Sequence, residues 1–319
     1  MNIERMLFIH IPKTAGSSFR LAAERYFGKE FTFFDYGPKS HDTHALISKY
    51  EYEVKDRYLT GKNVCDTARF LSGHFNYPKY APFFSAKEIV TFVRDPAQQV
   101  RSHYEHFVRH HAYDKDFLTF ITTPQFSNLQ SRMMSGTSLD SLGFIGLTEQ
   151  YEESLALLNR YLGVEIESLD INKNDSKKSQ SYEFTAEETE LLKAHNKDDI
   201  ALYKECLRRF ERQKKAISSD APFVRGGKLP VPPKERSKIV NGWAACYESE
   251  EAMVVQVEVE GKVVRTLTAN EYRPFAMERS IHRKGYVGFT FPIPDTIPKG
   301  KLMKFRAAIS GEILFKEKR

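Results

Sequence analysis

Two near-continuous apolar runs constrain this chain more than any other feature: LFIHI at 7–11 and EIVTFV at 88–93. A strand with water on one face alternates apolar and polar residues. These runs do not alternate, so both faces must be covered. Each is followed by a helix-forming stretch, GSSFRLAAERYF at 16–27 and the segment from Pro96 to His110. Strand then helix, repeated, is the pattern of a parallel sheet with helices packed over it. RFLSGH at 69–74 and FIGL at 144–147 fit as further strands. A helix capped by Thr148 and closed near Gly163 is expected next, and Thr185 with Glu188 forms a capping box before a long helical stretch. The fold class is α/β, and a ligand of such a sheet belongs at the carboxyl ends of its strands.

The texture changes after about residue 215. SSDAPFVRGGKLPVPPKER is rich in Pro, Gly and Ser and reads as a linker over 216–235. Beyond it MVVQVEVEG, KVVRTLTA, GYVGFTFPIP and LMKFRAAIS alternate with period two between Gly and Pro turns. Three parts are therefore expected: an α/β domain over 1–215, the linker, and a small antiparallel β-sandwich over 236–319.

Charge and cysteine content narrow the function. The 319 residues carry a net charge of +6. This mild basicity fits an anionic ligand, but no Lys/Arg block is dense enough for nucleic acid. Cys65, Cys206 and Cys246 are too far apart for a metal motif or a disulfide framework, so a reducing compartment is expected. The apolar run after Glu4 and Arg5 is too short for a signal peptide or a membrane span, so the expected location is cytoplasmic.

The turn after the first strand, IPKTAGSSF, carries the chemistry. A strand delivers the chain to Pro12 and a helix starts near Gly16. The free N–H groups of that helix start and its dipole favour an anion. Thr14, Ser17 and Ser18 add hydroxyls, Ala15 and Gly16 allow close approach, and Lys13 adds a mobile positive charge. The nucleoside-triphosphate loop G-x-x-x-x-G-K-[ST] is absent. EIVTFVRDP places Arg94, not a carboxylate, directly after its strand. Ser102, two turns into the following helix, can face back toward Arg94, and a guanidinium with a hydroxyl makes a phosphate clamp. Two anion sites at one sheet edge imply a ligand that is anionic at two places.

IPKTAGSSF followed by VRDPAQQVRSHY resembles the donor-binding motifs of sulfotransferases that use 3′-phosphoadenosine 5′-phosphosulfate (PAPS). It is most similar to the carbohydrate branch containing heparan sulfate 2-O- and 6-O-sulfotransferases. LSGHFNY, NLQSRMMSG, IGLTEQYEESL and HNKDDIALYKECLRRF extend the resemblance over about residues 6–212. It implies a P-loop-like sheet domain in which Lys13, Thr14, Ala15, Gly16, Ser17 and Ser18 hold the 5′-phosphosulfate. Arg94 and Ser102 would hold the 3′-phosphate, and Lys173, Lys178 and Ser179 would lie in a loop closing over the adenosine. His74 would be the base for an acceptor hydroxyl. The product would be 3′-phosphoadenosine 5′-phosphate (PAP), and no metal would be required.

The acceptor implied is a carbohydrate or glycosylated metabolite, with Asn128, Gln130, Arg132, His41 and His44 as candidate contacts. A nucleotide-dependent phosphoryl transferase and a non-catalytic carbohydrate-binding scaffold are the alternatives. His103, His106 and His110 share roughly one helical face, a weak metal-site pattern that reads better as a solvated or substrate-facing helix. The stretch around Trp243 resembles a β-sandwich module appended to bacterial glycosyltransferases. The sequence leaves the oligomeric state open.

Overall fold

In the computed structural model, residues 3–134, 137–169, 181–235, 238–246 and 248–319 are described. The chain divides into two compact units, Met1–Glu211 and Arg212–Arg319. The division falls inside a helix, Lys197–Ser218, rather than in the expected linker. Residues 216–235 carry the end of that helix and a strand, Val224–Leu229, so the segment is largely structured. Its Gly and Pro residues mark a bend and a strand edge, which local composition does not distinguish from a linker.

The first unit is built on five parallel strands: β1 Met6–Ile9, β2 Thr32–Asp35, β3 Phe70–Gly73, β4 Ile89–Val93 and β5 Phe144–Leu147, in the order β2-β3-β1-β4-β5. Every residue of β1, β3, β4 and β5 is buried, as their near-continuous apolar composition leads one to expect, with Ser72 and Thr91 the polar exceptions. β2 was not anticipated from the sequence. The chain leaves β1 for one side of the sheet and reaches β4 on the other. The crevice beside β1 is thus the switch point at which ligands bind in open α/β sheets.

The helices that matter to this crevice are α1 Gly16–Phe27 and α2 Pro96–His110, with the expected bounds. Asp95 caps α2, accepting from the N–H groups of Ala97 at 3.0 Å and Gln98 at 3.1 Å. α3 is Tyr151–Leu162, closed by Gly163 in the left-handed region as expected. Its start differs from expectation: Thr148 donates its hydroxyl to the Val93 carbonyl at 3.0 Å, ties β5 to β4, and leaves Gln150 at the N-cap. The Thr185–Glu188 box caps α4, Ala186–His195. β1 is shorter than expected because Ile11 N–H turns back to Ile9 O at 3.1 Å, bending the chain before Pro12.

The second unit has two antiparallel sheets. β6 Val224–Leu229, β7 Ile239–Cys246, β10 Glu271–Tyr272 and β11 Tyr286–Pro292 form one, in the order β10-β11-β7-β6. β8 Met253–Val259, β9 Lys262–Ala269, β12 Leu302–Ala307 and β13 Ile313–Lys318 form the other, in the order β13-β12-β8-β9. Val240, Ala244, Phe289 and Phe291 of the first share a core with Val255, Val257, Met303 and Phe305 of the second. This is the packing of a sandwich. Trp243 is buried outside that shared core, 6.0 Å from Phe275. Among the described residues no helix is long and apolar enough to cross a membrane.

Candidate functional site

The loop after β1 is built from backbone that L-residues rarely adopt. Lys13 (φ 68°) and Ala15 (φ 62°) both sit in the left-handed region. Such strain in non-glycine residues costs on the order of 1–3 kcal/mol each and gathers at functional sites. Curled this way, consecutive N–H groups turn inward to form an anion concavity. Ala15 is the N-cap of α1, no side chain caps the helix, and its first turn holds no acidic residue. The positive end of the dipole is left for a ligand.

The side chains of the loop divide their work. The buried Thr14 donates to Ile11 O at 2.9 Å, so its hydroxyl closes the loop instead of facing a ligand as expected. Ser17 is exposed and Ser18 half-buried at the helix start. Burial, with Arg109 and Arg94 nearby, pulls the Lys13 pKa down, while Glu105 opposes. Cations crowd this mouth from β1, β4 and α2, and an entering anion would relieve their repulsion.

Arg94 follows β4 and reaches across to the loop, donating from Nη1 to Lys13 O at 3.3 Å. Two glutamines hold the arrangement, through contacts too distant along the chain to be legible in the sequence. Gln130, expected at the acceptor, is buried and clamps the Arg94 backbone: Arg94 N–H donates to its Oε1 at 2.9 Å, and its Nε2 donates to Arg94 O at 2.9 Å. Gln99, buried in α2, donates to Pro12 O at 3.0 Å and ties that helix to the loop. Ser102 is buried on the same helix beside the Tyr182 hydroxyl, which donates to Glu105 at 3.0 Å. Lys173, Lys178 and Ser179 lie outside the described residues.

His74 leaves the end of β3, next to the loop. Gly73 before it must be glycine: a Cβ there would stand 1.8 Å from Asp35 O, because β2 and β3 run that close. The His74 N–H donates to Asp35 O at 3.0 Å, and its ring nitrogen Nδ1 lies 2.6 Å from His10 O. A carbonyl can only accept, so Nδ1 carries the proton and Nε2 keeps a free lone pair. Burial lowers the His74 pKa and Arg20 adds to this, against the bond to His10 O. A neutral ring with its Nε2 lone pair free can accept a proton.

Beside it lies a network unseen in the sequence. The His10 ring is 4.5 Å from that of His74, and its Nδ1 is 2.9 Å from the Tyr36 hydroxyl. Asp35, at the end of β2, accepts from Tyr52 (2.6 Å), Lys79 (2.7 Å), Tyr80 (2.8 Å) and Gly37 N–H (3.0 Å). Burial would raise its pKa, but Lys79 and Tyr52 win and hold it below the usual carboxylate range. This fully satisfied carboxylate anchors the end of β2, whose Asp35 carbonyl accepts from the His74 N–H.

The other candidate acceptor contacts are placed differently. Asn128 accepts from Asp198 N–H at 3.0 Å and Asp199 N–H at 3.2 Å, fixing the start of α5, Lys197–Ser218. Arg132 donates to Pro124 O at 3.0 Å and to Gln125 O at 2.5 Å. Both are spent on packing. His44 stacks on Phe33 at 3.8 Å and accepts from Leu46 N–H, and His41 is exposed. His103 is buried among Phe107, Phe120 and Phe126, with burial and His106 pushing its pKa down to about 4. Among the described residues no group of three or more His, Cys, Asp or Glu could hold a metal ion.

No protein-family model matches the chain, and no curated protein matches it. Among solved structures, the crystal structure of a sulfotransferase from Alicyclobacillus acidocaldarius is similar over 62% of this chain and 93% of that one. Identity is 15% and the TM-score 0.37, too low to carry a functional argument.

Proposed function

We propose that this chain is a PAPS-dependent sulfotransferase acting on a hydroxyl of a carbohydrate or glycosylated metabolite. One observation carries the reading: Arg94 bonds back to Lys13 O, so two cationic anion sites share one sheet edge, with a free-base imidazole beside them. A nucleotide bearing a 3′-phosphate and a 5′-phosphosulfate has matching charges. Asp95, the first carboxylate in the chain after β4, is occupied in capping α2, which weakens a metal-dependent kinase reading.

The reaction follows from the positions. Lys13, the curled loop and the α1 N-terminus hold the phosphosulfate, while Arg94 and Ser102 hold the 3′-phosphate. The acceptor oxygen attacks sulfur, a new S–O bond forms, and its proton passes to His74 Nε2. The bond from sulfur to the bridging oxygen breaks and its electron pair stays on the departing 5′-phosphate, where Lys13 neutralises the charge. By analogy with phosphoryl transfer, catalysis here is mainly positioning and charge stabilisation.

The test is transfer of ³⁵S from labelled PAPS to a saccharide panel in EDTA, beside ³²P transfer from γ-labelled ATP with Mg²⁺. Sulfur transfer lost in His74→Ala is the expected result. Phosphorus transfer instead would replace this reading with a kinase.

A further inference from the structure

His10 follows β1 and is buried. Arg20 Nη1 donates to the Tyr36 hydroxyl oxygen at 3.3 Å, so the Tyr36 O–H is free to donate to His10 Nδ1, 2.9 Å away. A neutral imidazole has one proton, and in the tautomer that accepts this bond at Nδ1 that proton lies on Nε2. Burial, with His74, Arg20 and Lys13 nearby, keeps the ring neutral. Its Cδ2–Nε2 edge lies against Gly16: a Cβ there would stand 2.0 Å from Cδ2 and 2.3 Å from Nε2. Among the described residues no protein group takes up the Nε2 proton.

His74 packs on the other side of this ring and bonds to the His10 carbonyl. Two adjacent imidazoles thus present opposite chemistry. His74 offers a lone pair, and His10 offers an N–H at the seam between the base and the first residue of α1. His10 thus lies between the His74 ring and the first residue of α1.

We propose, resting on the sulfuryl-transfer reading, that His10 is a second catalytic residue whose Nε2–H donates to an oxygen of the sulfuryl group, in the bound donor and throughout its transfer. Tyr36 and Arg20 are positioning residues that set the His10 tautomer. A fixed donor aimed at an anionic oxygen is worth most where water is excluded.

The test uses the whole chain titrated calorimetrically with PAPS and with PAP, which lacks the sulfuryl group, both without acceptor. His10→Ala should weaken PAPS binding about tenfold or more, the scale of a hydrogen bond to a charged group, and change PAP binding by less than about twofold. His10→Gln, whose amide N–H reaches the place of Nε2, should restore most of the loss, and the shorter His10→Asn should not. Equal losses for both ligands, or none, overturn the proposal. Tyr36→Phe serves should His10→Ala fail to fold, and is expected to cost PAPS several-fold more than PAP. Imidazole ¹⁵N spectra of the wild type should show His10 protonated at Nε2, and protonation at Nδ1 overturns the assignment. If the wild type binds neither nucleotide, the donor reading falls and this proposal with it. If PAP binds but PAPS binding ignores His10, only this proposal falls.

Discussion

Replacing Gln130 with methionine separates the clamp on Arg94 from the packing around it. Gln130→Met keeps the length and nearly the volume of a buried side chain and removes both amide atoms. Two bonds of 2.9 Å go, one to Arg94 N–H and one from Arg94 O. Each is worth about 1 kcal/mol net, and leaving its buried partner unpaired costs about 1–3 kcal/mol. Solvent reaches Arg94 in part, so a total of about 2–4 kcal/mol is expected. The functional consequence is sharper than the stability loss. Arg94 leaves the sheet at this peptide, so a loosened backbone lets its guanidinium wander from the 3′-phosphate. Urea denaturation reads the first effect. Calorimetry with PAP and with adenosine 5′-phosphate, which lacks the 3′-phosphate, reads the second. PAP affinity should drop about tenfold or more while adenosine 5′-phosphate affinity stays nearly constant. Unchanged stability and an unchanged ratio of the two affinities would show that Gln130 does not hold Arg94.

Other expectations follow from the same geometry. His74→Ala should reduce turnover by about 10²-fold or more with PAP affinity kept. Wild-type kcat/KM should rise with pH and level off below the ordinary histidine pKa of 6.5, since burial lowers that of His74 and the base acts deprotonated; a rise continuing above pH 7 would exclude His74. Acid should begin to destabilise the fold as pH falls through the ordinary histidine range. Between pH 6.5 and about 4 the unfolded chain binds a proton that buried His103 refuses, so stability falls as pH falls, by about 3 kcal/mol at about 1.4 kcal/mol per pH unit. Because His103 Nδ1 is buried without a partner among aromatic rings, His103→Phe should fold at pH 7 and reduce that dependence by about one proton, leaving the part due to His10 and His74, in urea titrations from pH 7 to 4. In the second unit, Phe305→Ala should cost about 3–5 kcal/mol by opening the shared core, measured by denaturant unfolding.

The parts legible in the sequence were those written locally. Apolar runs marked β1, β3, β4 and β5, Asp95-Pro96 marked the start of α2, and Thr185 with Glu188 marked that of α4. β2 was missed because it is four residues long and ends in Asp35, whose burial depends on Tyr52, Lys79 and Tyr80, 17 to 45 residues later. Gln130 was misplaced for the same reason: its partner is the backbone of a residue 36 positions earlier. Thr148 looked like a cap because its neighbours fit one, yet its hydroxyl found the Val93 carbonyl of the adjacent strand. For His10, a polar residue inside an apolar run was the available signal. That it touches Gly16 depends on how the chain bends at Ile11 and Pro12.

The most direct measurement is a calorimetric titration of the whole chain with PAP in EDTA, set against ATP with Mg²⁺. Metal-free binding of PAP, stronger than that of ATP and lost in Arg94→Ala, is the expected result. Mg²⁺-dependent preference for ATP, or PAP binding indifferent to Arg94, would contradict a donor held at two anionic ends by this sheet edge.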